Sequence, residues 1–423
     1  NQYCYICHDG SKCLFCCDFC PRVVCQRCLG LEEVKPELYA SDVKFRCPGC
    51  HELGERAVKC KLLPYYAFMR NVDGEFIRVL DAPTTLAGIC ERASKAQVCA
   101  ELILILHLVC VGMEVCGSLP KLLHTTLEEY HTADSLTYEE VIFDFGTEKK
   151  LHHWTKTVGQ LHARLEGWNF GCKIIFVTVH SVVTRGDLFA GKDKDGDVAM
   201  TVGDFTDYIF TPPLNEVVYG STLFMLTCGH VVRFEESFTA MKKSITCLRP
   251  EYTILFTAPE FIVAATKLFA VAYSIQVLIH GHSFLDVFHD LLNVSLDLRM
   301  HTDVLVFYIS GLLALKAPFG LRTPALDVAQ PPSIVGYQYS WYHSHRRPWG
   351  KALPMGCSRC GAVRPWSQSK RHLNGTHPKA RVTTCSGCNL EVYSEPLPME
   401  YEILQDSKIF GWIRYTIWPR EVL

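Results

Sequence analysis

The clearest chemistry in this 423-residue chain lies in six Cys-x-x-Cys pairs. Four stand near the amino end: Cys4 and Cys7, Cys17 and Cys20, Cys25 and Cys28, Cys47 and Cys50. Two more follow near the carboxyl end, Cys357 with Cys360 and Cys385 with Cys388. Each such pair can grip one metal ion through two thiolates, so four pairs make two tetrahedral sites and two pairs make a third. The expected cofactor is zinc, two ions in the amino-terminal segment and one in the carboxyl-terminal segment. A disulfide framework would not need this repeated close pairing, so the 22 cysteines point to a reducing, intracellular compartment, nuclear or cytoplasmic. Two alternatives compete for ligands. Cys13 and Cys16 form another Cys-x-x-Cys, and His372 and His377 could complete a two-Cys two-His site with Cys357 and Cys360. The second alternative would leave Cys385 and Cys388 without partners.

The text from Cys16 to Leu29, Cys-Cys-Asp-Phe-Cys-Pro-Arg-Val-Val-Cys-Gln-Arg-Cys-Leu, followed by Phe45-Arg46-Cys47-Pro48-Gly49-Cys50, resembles a PHD finger over about residues 1–55. The resemblance anchors the register on Asp18 and Pro21 and implies crossed ligand sets. Cys4, Cys7, Cys25 and Cys28 would hold one zinc, and Cys17, Cys20, Cys47 and Cys50 the other. Cys25 stands where that family usually has His, as in the all-Cys ADD-like variant, and Phe45 where it usually has Trp. The family implies a histone tail or another protein peptide as partner, with Tyr3, Tyr5, Phe15, Glu32 and Glu33 as candidate contacts, aromatic residues suiting a methylated lysine and acids an unmodified one.

A second kind of chemistry sits in the middle of the chain. His180, in Val179-His180-Ser181, and Cys228, in Leu226-Thr227-Cys228-Gly229-His230, each end an apolar run of strand length. An imidazole about 50 residues upstream of a thiol, both leaving strands at one rim, is the arrangement of caspase-like cysteine peptidases. The imidazole can move the thiol proton, and backbone N–H groups beside the Cys can hold an oxyanion. Together with the Asp195-Gly196 hairpin, Phe256-Thr257-Ala258-Pro259-Glu260 and His280-Gly281-His282-Ser283, these residues resemble a CHAT domain of that superfamily over about residues 174–307. The resemblance implies catalytic roles for His180 and Cys228. Ser181 departs from it, because Gly usually follows the His. Asp193, Asp195 and Asp197 lack the glycine position and closing Glu of a calcium loop and read as a solvated turn.

These residues require elements to hold them. The runs 174–179, 223–226 and 252–257 read as buried parallel strands, and 93–114, 149–167, 259–280 and 283–296 as helices, with a further helical stretch over 202–210. The order predicts a central three-layer α/β domain over 63–315. Prolines 318, 324, 331 and 332 mark a linker over 316–336. A zinc ribbon-like module would then occupy 337–423, completing a multidomain protein with a PHD-like finger at 1–55.

Composition removes several classes of function. With 42 Lys and Arg against 44 Asp and Glu, the whole chain has no field for nucleic acid or acidic lipid. The basic residues cluster locally: Arg346, Arg347, Lys351, Arg359, Arg364, Lys370, Arg371, Lys379 and Arg381 surround the last four cysteines, where a nucleic acid is the possible partner. The run Val98–Cys116 is interrupted by Glu101, His107 and Glu114 and reads as a buried helix, not a membrane span. No membrane partner is expected, and no signal-peptide pattern opens the sequence.

Overall fold

The computed structural model describes residues 4–7, 13–20, 22–52, 63–72, 75–87, 102–132, 134–309, 333–372 and 379–422. Tyr3, Pro21, His377 and most of the expected linker lie outside the described residues. Among those described, no helix is long and apolar enough to cross a membrane.

The amino-terminal unit is built from short strands. β1 (Leu14–Cys16) pairs antiparallel with β2 (Val23–Cys25), and β3 (Val43–Phe45) pairs with β4 (Phe68–Val72), which pairs with β5 (Glu75–Arg78). Its core includes Tyr5, Phe15, Val24, Leu29, Phe45 and Phe68, so the unit continues past the expected boundary at residue 55. The reason is register: Phe45 sits opposite Phe68, and the two rings pack 5.2 Å apart. Phe45 fills the expected Trp position by joining this aromatic cluster.

The central unit is one nine-stranded mixed sheet. After β6 (Ile103–Cys110) come β7 (Leu136–Phe143) and β8 (Cys172–Thr178), then a hairpin of β9 (Leu188–Lys192) and β10 (Asp197–Met200) outside the sheet. β11 (Thr222–Leu226) and β12 (Tyr252–Phe256) complete the parallel part, and β13 (Val304–Ile309) adds antiparallel to β12. β14 (Ser333–His343) continues the sheet. The chain then leaves it for β15 (Lys370–Arg371), β16 (Arg381–Thr384) and β17 (Glu391–Ser394), a separate three-stranded sheet. It returns through β18 (Tyr401–Gln405) and β19 (Phe410–Val422), giving the spatial order 18-19-14-13-12-11-8-6-7.

Two readings of the sequence change here. The run expected as a helix over 93–114 contains β6, an eight-residue strand buried along its whole length between β7 and β8. A fully buried apolar run has no period to separate strand from helix, and the neighbouring strands decide. Leu104, Leu106 and Leu108 face a core with Trp154, Phe205 and Met241, whereas Ile103 and Ile105 face a second core with Leu123, Phe269 and Leu291. These two cores make the three layers. The residues expected to form a separate module over 337–423 instead contribute three strands to this same sheet, and the cysteine-bearing segment is an excursion between β14 and β18.

The helices that cover the sheet are α1 (Leu119–Glu128), α2 (Glu148–Leu165), α3 (Val202–Ile209), α4 (Leu214–Val218), α5 (His230–Arg233), α6 (Glu235–Leu248), α7 (Lys267–Tyr273), α8 (Phe284–Val294) and α9 (Leu296–His301). α2 shows why such segments are helical. Thr147 caps it by accepting the Lys150 N–H, and Trp154, Val158, Leu161 and Leu165 recur on one buried face.

Candidate metal centres and candidate active site

Three groups of four cysteines each bring their sulfur atoms within 4.8 Å of one another: Cys4, Cys7, Cys25 and Cys28; Cys17, Cys20, Cys47 and Cys50; Cys357, Cys360, Cys385 and Cys388. The first two sets are interleaved along the chain. Main-chain contacts accompany the crossing: the Tyr5 N–H donates to the Val23 carbonyl at 2.9 Å, beside Cys25, and the Asp18 N–H donates to the Phe45 carbonyl at 2.9 Å, beside Cys47. All twelve thiols are free of disulfides. A zinc ion at the centre of a tetrahedron with bonds of about 2.3 Å requires sulfur atoms about 3.8 Å apart. Cys7 and Cys25 are 3.7 Å apart, Cys20 and Cys47 3.6 Å, Cys357 and Cys388 3.5 Å, and Cys360 and Cys385 3.7 Å. The donor sets therefore fit zinc.

Main-chain groups prepare the sulfurs for negative charge. The Cys28 N–H donates to the Cys25 sulfur, the Cys47 N–H to Cys17 and the Cys50 N–H to Cys47. The Arg22 guanidinium, 4.0 Å from the Cys47 sulfur, adds a buried positive charge. At the third group, backbone N–H groups, that of Cys360 foremost, lower the Cys357 thiol to about 6. Gly361 and Asn389, both with positive φ, make the tight knuckle turns that expose those N–H groups.

The alternative ligands stand elsewhere. Cys13 bonds to the Tyr39 hydroxyl at 2.8 Å, Cys16 is exposed, and the His372 ring packs on Tyr393. The candidate peptide contacts are also redistributed. Tyr5 and Phe15 are buried in the core and cannot line an exposed cage, because their ring faces serve packing; Arg22 covers Tyr5. Glu32 and Glu33 are exposed.

His180 and Cys228 follow β8 and β11, adjacent parallel strands whose last register pair is Thr178 with Leu226. Each residue stands two positions beyond that pair, on the same rim. The two loops stay together past the strands, since the Ser181 hydroxyl donates to the Cys228 carbonyl at 3.2 Å and lies 3.2 Å from the His230 Nδ1. His180 is exposed, with its ring edge against Phe189, and Cys228 is half-buried. Ser181, where a glycine was expected, thus clips one loop to the other.

Sequence reasoning placed an oxyanion donor beside the Cys, yet the Gly229 N–H is committed to the Ala258 carbonyl at 2.7 Å. Gly229 is needed for that approach, because a Cβ there would meet the Thr257 carbonyl oxygen at 2.1 Å. The Ser181 N–H is not used in the bridge of Ser181 to Leu188, which is made by the flanking groups, Val182 N–H to Asp187 and Phe189 N–H to the His180 carbonyl.

Cys110, at the same rim, donates to the Phe189 carbonyl, and burial pushes its thiol up to about 12. It is poorly suited to nucleophilic work. In the hairpin, the Asp193 carboxylate accepts the N–H groups of Asp195 and Gly196 and so closes the turn.

His107, noted in the sequence only as an interruption of an apolar run, is a buried polar group inside β6. Its Nδ1 is 3.1 Å from the Glu140 carboxylate and its Nε2 2.8 Å from the Thr178 hydroxyl. The carboxylate accepts, which assigns the proton to Nδ1 and makes Nε2 the acceptor for Thr178. Burial lowers its pKa against the opposing pull of Glu140. A single His in an otherwise apolar run was the available signal.

No protein-family model matches the chain, and no curated protein matches it significantly.

Proposed function

We propose that the central α/β unit is a cysteine peptidase of the caspase-like, CHAT-resembling class, with Cys228 as nucleophile and His180 as general base, and that zinc-stapled modules localise it. The observation that supports this most is the register of β8 and β11, which sets both residues two places past one strand pair. In the reaction, His180 takes the thiol proton and the Cys228 sulfur bonds to the scissile carbonyl carbon. Negative charge develops on the carbonyl oxygen near the Ser181 N–H. Collapse breaks the C–N bond, the departing amine takes the proton from His180, and water hydrolyses the thioester to restore the thiol. An electrophilic peptide probe should label Cys228 before Cys116 or Cys247, and Cys228→Ala and His180→Ala should each abolish cleavage. Equal labelling of these thiols, or cleavage retained in either variant, would overturn the assignment.

The amino-terminal unit is read as a PHD-like recognition finger holding two zinc ions, with a third in the carboxyl-terminal segment. The exposed Glu32 and Glu33 favour an unmodified lysine on a histone tail or another protein peptide over a methylated one. Nucleic acid is the partner suggested for the segment after β14, where Arg346, Lys351, Arg359, Arg364, Lys370, Arg371 and Lys379 are exposed. A peptide array with the zinc-loaded chain tests the finger, and salt-dependent binding to single-stranded oligonucleotides tests the basic segment.

A further inference from the structure

The three cysteine sites differ in how well the fold covers their sulfur atoms. Of the twelve ligand candidates only Cys360 is exposed, and the others are buried or half-buried. The cause lies in the knuckle turns. Cys47-Pro48-Gly49-Cys50 and Cys385-Ser386-Gly387-Cys388 carry a glycine at the same place. Gly49 is buried, and the space a side chain would take is filled by the Arg22 guanidinium, which a Cβ there would strike. Gly387 is exposed, and the nearest atoms to a Cβ there would be the sulfurs of Cys360 at 3.4 Å and Cys385 at 3.8 Å. Nothing in the carboxyl-terminal site takes the place of Arg22, so two of its sulfurs stand behind the gap of an absent side chain.

The first amino-terminal site is covered in another way. Cys4, Cys25 and Cys28 are buried, and so is Ile6 inside its first knuckle. Coverage decides which zinc-bound thiolates a small oxidant can reach, because the sulfur must offer its electron pair to a molecule arriving from solvent. Cys360 and Cys385 also stand 3.7 Å apart, so a sulfur oxidised at one has a nucleophile beside it at the other.

We propose that the carboxyl-terminal cysteine site is an oxidative modification site for hydrogen peroxide, in which Cys360 is oxidised first and Cys385 closes a disulfide on it. This rests on the reading of that site as a zinc centre. The Cys360 thiolate attacks one oxygen of the peroxide, the O–O bond breaks and hydroxide leaves, giving a sulfenic acid. The Cys385 thiolate then attacks that sulfur, the S–O bond breaks, a second hydroxide leaves and the S–S bond forms. Two thiolates are thus oxidised to one disulfide while the peroxide is reduced to two hydroxides, which solvent protonates. The zinc ion keeps its charge, loses two ligands and dissociates. The two amino-terminal zinc ions, behind covered sulfurs, remain bound.

The full zinc-loaded chain is treated with hydrogen peroxide while a chromogenic chelator reads the released zinc. Remaining thiols are then blocked with N-ethylmaleimide and the peptides mapped by mass spectrometry. One zinc per chain should leave about ten-fold faster than the rest, with a disulfide joining the peptides of Cys360 and Cys385. Gly387→Ala sets a methyl group against both sulfurs at ordinary contact distance, and it should slow that phase several-fold without changing the zinc content before oxidation. Release of all the zinc at one rate would overturn the inference, as would a first disulfide within the amino-terminal sets or an unchanged rate in Gly387→Ala. The double variant Cys385→Ser, Cys388→Ser tests the underlying zinc reading separately: it should hold one zinc fewer before any oxidant is added, and an undiminished content would refute that reading and this inference with it.

Discussion

Double substitutions in the amino-terminal cysteines separate the crossed ligand sets from a sequential alternative in which neighbouring pairs share a metal. Cys4→Ser with Cys25→Ser removes two ligands from one crossed site, whereas Cys4→Ser with Cys17→Ser removes one from each. With crossed sets, the first pair should lower the zinc content from about three to about two per chain, and the second should damage both amino-terminal sites. The magnitude follows from chain closure. The first site ties together a loop of about 25 residues, from Cys4 to Cys28, and a cross-link of that length contributes about 3.5 kcal/mol by restricting the unfolded chain. That is a large share of the stability of a unit this small, which holds its core with few large side chains such as Tyr5, Val24, Leu29, Phe45 and Phe68. The first double variant should therefore lose protection from proteolysis in the segment 4–28 while the second site, set by Cys47 and Cys50 against β3, keeps its metal. Metal analysis by mass spectrometry and limited proteolysis read both effects. If the pair at positions 4 and 25 lost two zinc ions while the pair at 4 and 17 lost one, the crossed ligand sets would be refuted.

Three further outcomes are expected. His107 is held neutral in the fold but takes a proton near pH 6.5 when unfolded, so the unfolded state binds more protons on acidification. Stability should fall as pH drops below about 6.5, by up to about 1.4 kcal/mol per pH unit for this group, and urea titrations of the wild type and His107→Gln should differ in that slope. Arg347 and Asp303 keep only 15% and 17% side-chain exposure, and Arg347→Met should cost about 3 kcal/mol by leaving the carboxylate without its cation, as thermal or chemical unfolding would report. Ser181→Ala removes the clip to the Cys228 carbonyl and should lower the labelling rate of Cys228 several-fold with little change in the melting temperature, whereas an unaffected rate would dismiss the clip as a positioning contact.

Local spacing was enough to find the twelve metal-ligand candidates, because a Cys-x-x-Cys knuckle is formed by a single tight turn and needs no distant partner. The runs 174–179, 223–226 and 252–257 were also legible as strands, which the structure places at Cys172–Thr178, Thr222–Leu226 and Tyr252–Phe256, as was the helix over 149–167, which is α2. Which cysteine pairs share a site is a different matter: spacing cannot choose among pairings, and the crossing comes with long-range main-chain contacts, Tyr5 to Val23 and Asp18 to Phe45. β6 was misread for a related reason, since eight buried residues carry no amphipathic period and only β7 and β8 on either side require an extended chain. Strands β14, β18 and β19 escaped assignment to the central sheet because their partners are set by register over long separations, Tyr337 opposite Val306 and Trp341 opposite Trp412. Tyr5 and Phe15 look the same in sequence whether they form a cage or a core, and burial by Phe45 and Phe68 decides. Residue types and short spacings thus specified the possible chemistry, while tertiary pairing determined which of those groups meet, because strand partners and burial depend on contacts that no local window contains.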